Sequence, residues 1–187
     1  GGFMVTGLAN DQLVSQRFGH KGAPFGDPII VDTDNTWPIA EHNQIDMLEL
    51  DNNRYVISWS STSAQDGDSY SAMVRIFDVD GTPLTAEIVL SQYGSKKQQS
   101  VRLAHATYQQ PGDFLAIWQS DGADLSDEAV MGRYFNQTGL ALTDEFRVAG
   151  EWQLDQYQPD VTVLTGGQIA VVMAANDGDL DRVELLM

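Results

Sequence analysis

Alternating carboxylates near the carboxyl end of the chain are the residues best suited to chemistry. The stretch NDGDLDRVE contains Asp177, Asp179, Asp181 and Glu184, with a glycine between the first two. Carboxylate oxygens at this spacing can converge on one hard cation, and Ca²⁺ takes about six to eight oxygen ligands. The stretch therefore predicts a calcium site, and an ordinary exposed Asp-Gly turn is the alternative.

Two earlier acidic stretches occupy comparable places in the chain. Asp66 and Asp68 lie in SAQDGDSY, and Asp121, Asp124 and Asp127 lie in SDGADLSDE. An acidic cluster that recurs between the same two predicted strands favours a shared role, so calcium is predicted at these loops too. The alternative is a solvated acidic loop. Bound calcium would neutralise carboxylates that otherwise repel one another and would stiffen the loops.

Aromatic residues in another set of connections could bind a ligand by stacking. Trp37, Tyr93, Trp152 and Tyr157 all lie between the last predicted strand of one unit and the first of the next. An exposed aromatic ring offers a flat apolar face with a polar edge. Such faces can stack on sugar rings, so these four residues predict a glycan-binding surface. Packing between neighbouring units is the alternative.

Common catalytic motifs do not occur in the sequence. There is no cysteine, no G-x-S-x-G, no H-E-x-x-H and no Walker loop, and no two of the three histidines have metal-ligand spacing. The chain is therefore predicted not to be an enzyme. A glycan-active hydrolase on a propeller stays open as the alternative, because a catalytic carboxylate pair can come from distant parts of a chain.

The charge balance excludes two classes of partner. Lys and Arg number 10 and Asp and Glu number 27, which gives a net charge of −17. Such a surface repels the phosphates of nucleic acids and of anionic lipids, so no nucleic-acid partner is predicted. No apolar run approaches the roughly 18 residues that a membrane span needs, so no membrane insertion is predicted either.

The elements that must position these residues form an internal repeat. The hairpin RIFDVDGTPLTAEIVL, residues Arg75 to Leu90, has relatives that begin at Gln16 and Arg133. Their aromatic residues Phe18 and Phe77 are 59 residues apart, and the next one follows after 58. Similar apolar stretches precede each hairpin, so every full unit holds four strand candidates, named a, b, c and d.

A four-stranded unit repeated along a chain is typical of propeller blades. The sequence predicts an all-β fold of repeated four-stranded antiparallel units that are β-propeller-like blades, and an array of small β-sandwich repeats is the alternative. The predicted units are 1–42, 43–97, 98–156 and 157–187, of which the first lacks strand a and the last lacks strand d. Open strand edges favour pairing with another protein chain, so a self-assembling structural protein is a further alternative.

The pattern resembles the long repeats of large secreted bacterial proteins of the RTX and calcium-dependent adhesin type. The residues that carry the resemblance are Arg75–Leu90, Phe114–Gly122, Arg133–Val148 and Gln158–Leu164. The resemblance implies a secreted or cell-surface bacterial module that acts without catalysis as a spacer or ligand-binding scaffold. It also implies a calcium-rich medium, which suits the calcium sites predicted from the acidic loops.

Overall fold

A computed structural model describes most of the chain. It covers residues 2–10, 12–33, 44–61, 70–92, 97–122, 128–148, 155–176 and 181–186. No helix in this part of the chain is long and apolar enough to cross a membrane.

The described residues form strands, and these are numbered in chain order. Sheet 1 contains β1 (Gly2–Ala9), β2 (Gln12–Gly19) and β3 (Ile29–Ile30). Sheet 2 contains β4 (Asp46–Leu50), β5 (Arg54–Ser61), β6 (Ser71–Asp78) and β7 (Ile88–Val89). Sheet 3 contains β8 (Gln98–Ala106), β9 (Asp113–Asp121), β10 (Glu128–Phe135) and β11 (Phe146–Arg147). Sheet 4 contains β12 (Asp155–Val163), β13 (Ile169–Asn176) and β14 (Asp181–Leu186).

Each sheet is an antiparallel meander in which consecutive strands are hydrogen-bonded neighbours. Sheets 2 and 3 have the complete order a-b-c-d, sheet 1 has b-c-d, and sheet 4 has a-b-c among the described residues. The all-β fold of repeated four-stranded, blade-like sheets is therefore confirmed. The ring arrangement that the word propeller implies, and the predicted unit boundaries, stay predictions.

The hydrophobic core lies between successive sheets. Strands β5 and β9 are buried along almost their whole length because both faces are covered by neighbouring sheets, as the uninterrupted apolar runs of strand b predict. Trp59 and Trp118 occupy the same place in these two strands, and both are fully buried. Strands β4, β8 and β12 are in contact from one sheet to the next, so the a strands line one side of the stack.

The turn between strands c and d joins neighbouring sheets through its glycine. Gly81 and Gly139 have φ of +94° and +83°, a conformation that side chains disfavour. A Cβ at Gly81 would lie 3.0 Å from Cγ2 of Ile29, and one at Gly139 would collide with Cδ1 of Ile88. The glycine therefore permits the turn and also makes room for the isoleucine of the preceding sheet.

An arginine in strand c ties each complete sheet to the sheet before it. Arg75 donates from Nε to the Thr85 carbonyl at 3.2 Å and from Nη1 to the Val31 carbonyl at 2.9 Å. Arg133 repeats the second bond, from Nη1 to the Leu90 carbonyl at 3.2 Å. One planar guanidinium can satisfy carbonyls of two sheets because its donors point in different directions.

Candidate functional site

The a strands become irregular at the end of the sheets where the b–c and d–a connections lie. The pairing of β8 with β9 shifts between Gln99 and Arg102, and that of β12 with β13 shifts between Tyr157 and Asp160. The inserted residues include Ser100 at φ +60° and Gln158 at φ +51°. A bulge with a left-handed non-glycine residue costs local free energy and re-aims the side chains beside it.

Charged residues occupy equivalent positions in the three described a strands, directly after the bulges in β8 and β12. Asp46, Arg102 and Asp160 lie opposite Ser58, Ile117 and Val172, which are equivalent positions in the three b strands. Asp46 accepts the amide hydrogen of Leu103 at 2.9 Å, which links sheets 2 and 3. Nε of Arg102 lies 3.8 Å from Oδ1 of Asp160, and this solvent-exposed ion pair contributes little to stability.

Three half-buried carboxylates meet where sheets 3 and 4 adjoin. Asp121 ends β9 and is the register partner of Glu128, which begins β10. Asp155 begins β12, and its Oδ1 accepts the amide hydrogen of Glu128 at 3.4 Å. We call Asp121, Glu128 and Asp155 the acidic junction. Like charges directly opposite each other in a sheet are destabilising, so the arrangement costs folding free energy while all three groups are ionised.

The acidic junction changes the acidity of its central residue. Burial raises the pKa of Glu128, and the negative charges of Asp121 and Asp155 raise it further. A hydrogen bond from the Gln119 side chain and the charge of Lys97 oppose this rise. Glu128 therefore holds its proton to a higher pH than an ordinary glutamate, beside two other carboxylates. This is the environment that produces a general acid.

Polar side chains around the acidic junction connect it to the bulge in β12. Oε1 of Gln119 accepts the amide hydrogen of Gln158, the left-handed bulge residue, at 3.3 Å. Gln156 is fully buried, and its Oε1 accepts from the amide of Val130 at 3.5 Å. Its Nε2 has no hydrogen-bond partner among the described residues. Gln119 thus links Glu128 to the bulge, since it contacts both.

The structure places only some of the residues that the sequence singles out. Asp121 belongs to the acidic junction, and Tyr157 is half-buried on β12 beside its bulge. For Asp181 and Glu184 only the backbone is described, and they lie in β14 opposite Asn176 and Met173. The other predicted residues lie outside the described ranges, and they are Trp37, Asp66, Asp68, Tyr93, Asp124, Asp127, Trp152, Asp177 and Asp179.

The described residues contain no group of three His, Cys, Asp or Glu side chains with an arrangement that could hold a metal ion. Most of the predicted calcium ligands lie outside these residues, so the calcium sites and the aromatic glycan-binding surface stay predictions.

Sequence reasoning did not single out Glu128 and Asp155. Glu128 is the last residue of SDGADLSDE, so it was within the stretch proposed to bind calcium. Glu128 lies opposite Asp121 because of the register in which β9 pairs with β10, and that register cannot be read from the local sequence. Asp155 comes from the next sheet, and no local pattern in the sequence relates it to Glu128.

The chain resembles two solved structures from Bacteroides thetaiotaomicron. One is an endo-arabinase, with 10% sequence identity and a TM-score of 0.60, and the match covers 98% of this chain and 69% of the other. The second is an endo-1,4-beta-xylanase, with 11% identity and a TM-score of 0.52, covering 98% of this chain and 66% of the other. The chain thus spans about two thirds of the length of each. No protein-family model and no curated protein matches it.

This likeness corrects the prediction that the chain is not an enzyme. Two solved structures that share its fold are those of enzymes, an endo-arabinase and an endo-1,4-beta-xylanase. The prediction was based on missing motifs, and that argument is weak for glycoside hydrolysis. The two carboxyl groups of this reaction flank the scissile bond, and the residues that carry them need not be close together in the sequence. At this low identity the likeness shows the fold alone, and it leaves the reaction to be argued from the site.

Proposed function

We propose that the chain acts on glycans by hydrolysing glycosidic bonds and that the acidic junction supplies the catalytic carboxylates. The observation that carries the proposal is the raised pKa of Glu128 between Asp121 and Asp155. Hydrolysis of a glycosidic bond needs one protonated and one ionised carboxyl group close together. The likeness in fold to an endo-arabinase and an endo-1,4-beta-xylanase supports this choice of chemistry.

Glu128 is the proposed acid. In its protonated form it donates its proton to the glycosidic oxygen as the bond from that oxygen to the anomeric carbon breaks. Positive charge then develops at the sugar, and the ionised carboxylates of Asp121 and Asp155 stabilise it. A water molecule adds to the anomeric carbon and gives its proton to the ionised Glu128, which restores the acid for another cycle.

Release of reducing sugars from linear arabinan and from xylan tests the proposal. We expect the wild-type chain to cleave at least one of the two polymers. The substitution Glu128→Gln keeps the size of the side chain and removes the acidic proton. It should therefore lower the rate by roughly 100-fold or more.

The matched control is Glu145→Gln. Glu145 is a half-buried glutamate in the strand c–d region of sheet 3, and burial raises its pKa too, but Arg133 is its charged neighbour rather than other carboxylates. Its amide replacement should retain wild-type activity. A wild-type chain that releases no sugar from either polymer, or a Glu128→Gln variant as active as the wild type, would contradict the proposal.

A further inference from the structure

The repeat allows the packing between sheets to be compared, and the interface between sheets 1 and 2 differs from that between sheets 2 and 3. Between sheets 2 and 3 the core includes Ile76 and Phe114, which are both fully buried. The equivalent residues between sheets 1 and 2 are Arg17 and Tyr55. Arg17 lies directly before Phe18, as Ile76 lies directly before Phe77. Tyr55 pairs across its sheet with Phe77, as Phe114 pairs with Phe135. An apolar pair is thus replaced by a polar pair.

The replacement coincides with two adjoining cavities between sheets 1 and 2. The larger has a volume of about 490 Å³, and its walls include Met4, Arg17, Tyr55 and Glu49. The smaller has a volume of about 270 Å³, and Arg17 and Tyr55 also line it, together with Asp80. The larger volume falls within the range of ligand pockets, roughly 300 to 1,000 Å³.

Tyr55 lines both cavities and carries a buried hydroxyl that the described part of the protein does not satisfy. Only 5% of the residue is exposed, and its hydroxyl has no hydrogen-bond partner among the described residues. Burial raises the pKa of Tyr55 to about 12, so the hydroxyl keeps its proton at neutral pH and can donate it. A buried hydroxyl without a partner is costly, and a ligand that accepts its hydrogen bond would recover that cost.

Arg17 adds a charged group on the same wall. Its guanidinium lies over the ring of Phe25, 4.9 Å from the centroid, which holds it in place. Within the described part of the chain its guanidinium forms no ion pair, whereas Arg75 and Arg133, each one position earlier in its strand, donate hydrogen bonds to the preceding sheet. The Arg17 donors are therefore available to a ligand.

The lining offers donors and acceptors beside apolar surface. Tyr55 and Arg17 donate, Glu49 and Asp80 accept, and Met4 supplies an apolar wall. A neutral sugar matches this combination, since its hydroxyls both donate and accept while its C–H face is apolar. We propose that the cavity between sheets 1 and 2 is a binding site for a neutral saccharide, separate from the acidic junction and independent of any catalysis there.

Isothermal titration with neutral trisaccharides tests the site. Xylotriose, arabinotriose, cellotriose and mannotriose are the probes, and we expect at least one to bind the wild-type chain. Tyr55→Phe removes only the hydroxyl and introduces the residue that sheet 3 has at this place. It should weaken binding by roughly three- to tenfold, as expected for one hydrogen bond. Arg17→Ile should weaken it as well.

Controls separate binding from folding and from the acidic junction. Tyr55→Phe should raise the melting temperature of the free protein slightly, because it removes an unpartnered buried hydroxyl. Tyr134→Phe, which removes a hydroxyl from another sheet interface, should leave binding unchanged, and so should Glu128→Gln. The proposal is wrong if no probe binds, if Tyr55→Phe binds as tightly as the wild type, or if only Glu128→Gln loses binding.

Discussion

Asp121 and Glu128 face each other across β9 and β10, and Asp155 approaches them from sheet 4. A hydrogen bond from Gln119 and the charge of Lys97 favour the ionised form of Glu128, but burial and the two aspartates outweigh them and raise its pKa. The site therefore carries a cost that a purely structural role does not explain. Such a cost is typical of functional residues, which are placed for chemistry at the expense of stability.

The raised pKa of Glu128 predicts how stability depends on pH. The folded state holds this proton more tightly than the unfolded state, where glutamate has its ordinary pKa of 4.5. The contribution of Glu128 is therefore most favourable below pH 4.5 and is lost as pH rises through the raised folded value. At pH 7 Glu128→Gln should melt about 2 °C above the wild type, and below pH 4 the two should melt together.

Thermal unfolding at pH 4 and pH 7 measures this difference. Asp51→Asn, at an exposed residue of the turn before β5, is the control and should show little change at either pH. If Glu128→Gln and the wild type had the same melting temperature at both pH values, repulsion between the carboxylates of the acidic junction would not oppose folding.

At the scale of the elements, the c–d hairpin is both a turn and a contact between sheets. The three turn glycines Gly22, Gly81 and Gly139 have positive φ, but they differ in what lies beside them. Gly139 is packed against Ile88 of the preceding sheet, whereas nothing lies within 4 Å of a Cβ at Gly22. The chain thus contains a natural comparison between backbone strain alone and strain combined with packing.

Alanine substitution at these glycines should separate the two effects. Gly22→Ala should lower the free energy of unfolding by about 1 kcal/mol, because alanine disfavours positive φ. Gly139→Ala should lower it by about 2 to 4 kcal/mol, because its Cβ must also displace Ile88. Urea denaturation monitored by tryptophan fluorescence measures both. Equal losses in the two variants would show that the contact with Ile88 yields without cost.

At the scale of the whole molecule, the net charge of −17 is carried by a stack of small sheets. Carboxylates on such a surface repel one another, and a divalent cation that binds only the folded state would reduce this repulsion. The three predicted calcium loops are spread along the chain, so bound calcium would reduce this repulsion in several sheets. The secreted or cell-surface location, the adhesin-type resemblance and association through open strand edges also stay predictions.

Thermal unfolding in calcium and in excess chelator, at fixed ionic strength, tests the predicted metal loops. If Asp177, Asp179 and Asp181 bind calcium, the melting temperature should rise, and a concentration 100-fold above the Kd corresponds to about 2.7 kcal/mol. Magnesium at the same concentration is the control for simple screening and should have a smaller effect. The same melting temperature in calcium and in chelator would make these residues ordinary turn aspartates.

The sequence by itself determined the strands, the turn glycines and the repeated four-stranded sheet. These depend on local alternation, on turn chemistry and on a repeat of 58 or 59 residues, all of which can be read along the chain. Trp59 and Trp118, which lie in the apolar stretches of this repeat, are fully buried.

Only the tertiary structure decided which side chains meet. The register of β9 against β10 sets Glu128 opposite Asp121, and the approach of sheet 4 brings Asp155 to the same place. The packing of sheet 1 on sheet 2 leaves Arg17 and Tyr55 beside a cavity. Between sheets 2 and 3 the equivalent residues, Ile76 and Phe114, belong to the apolar core. Such meetings depend on contacts between residues far apart in the chain, and neither composition nor local spacing encodes them.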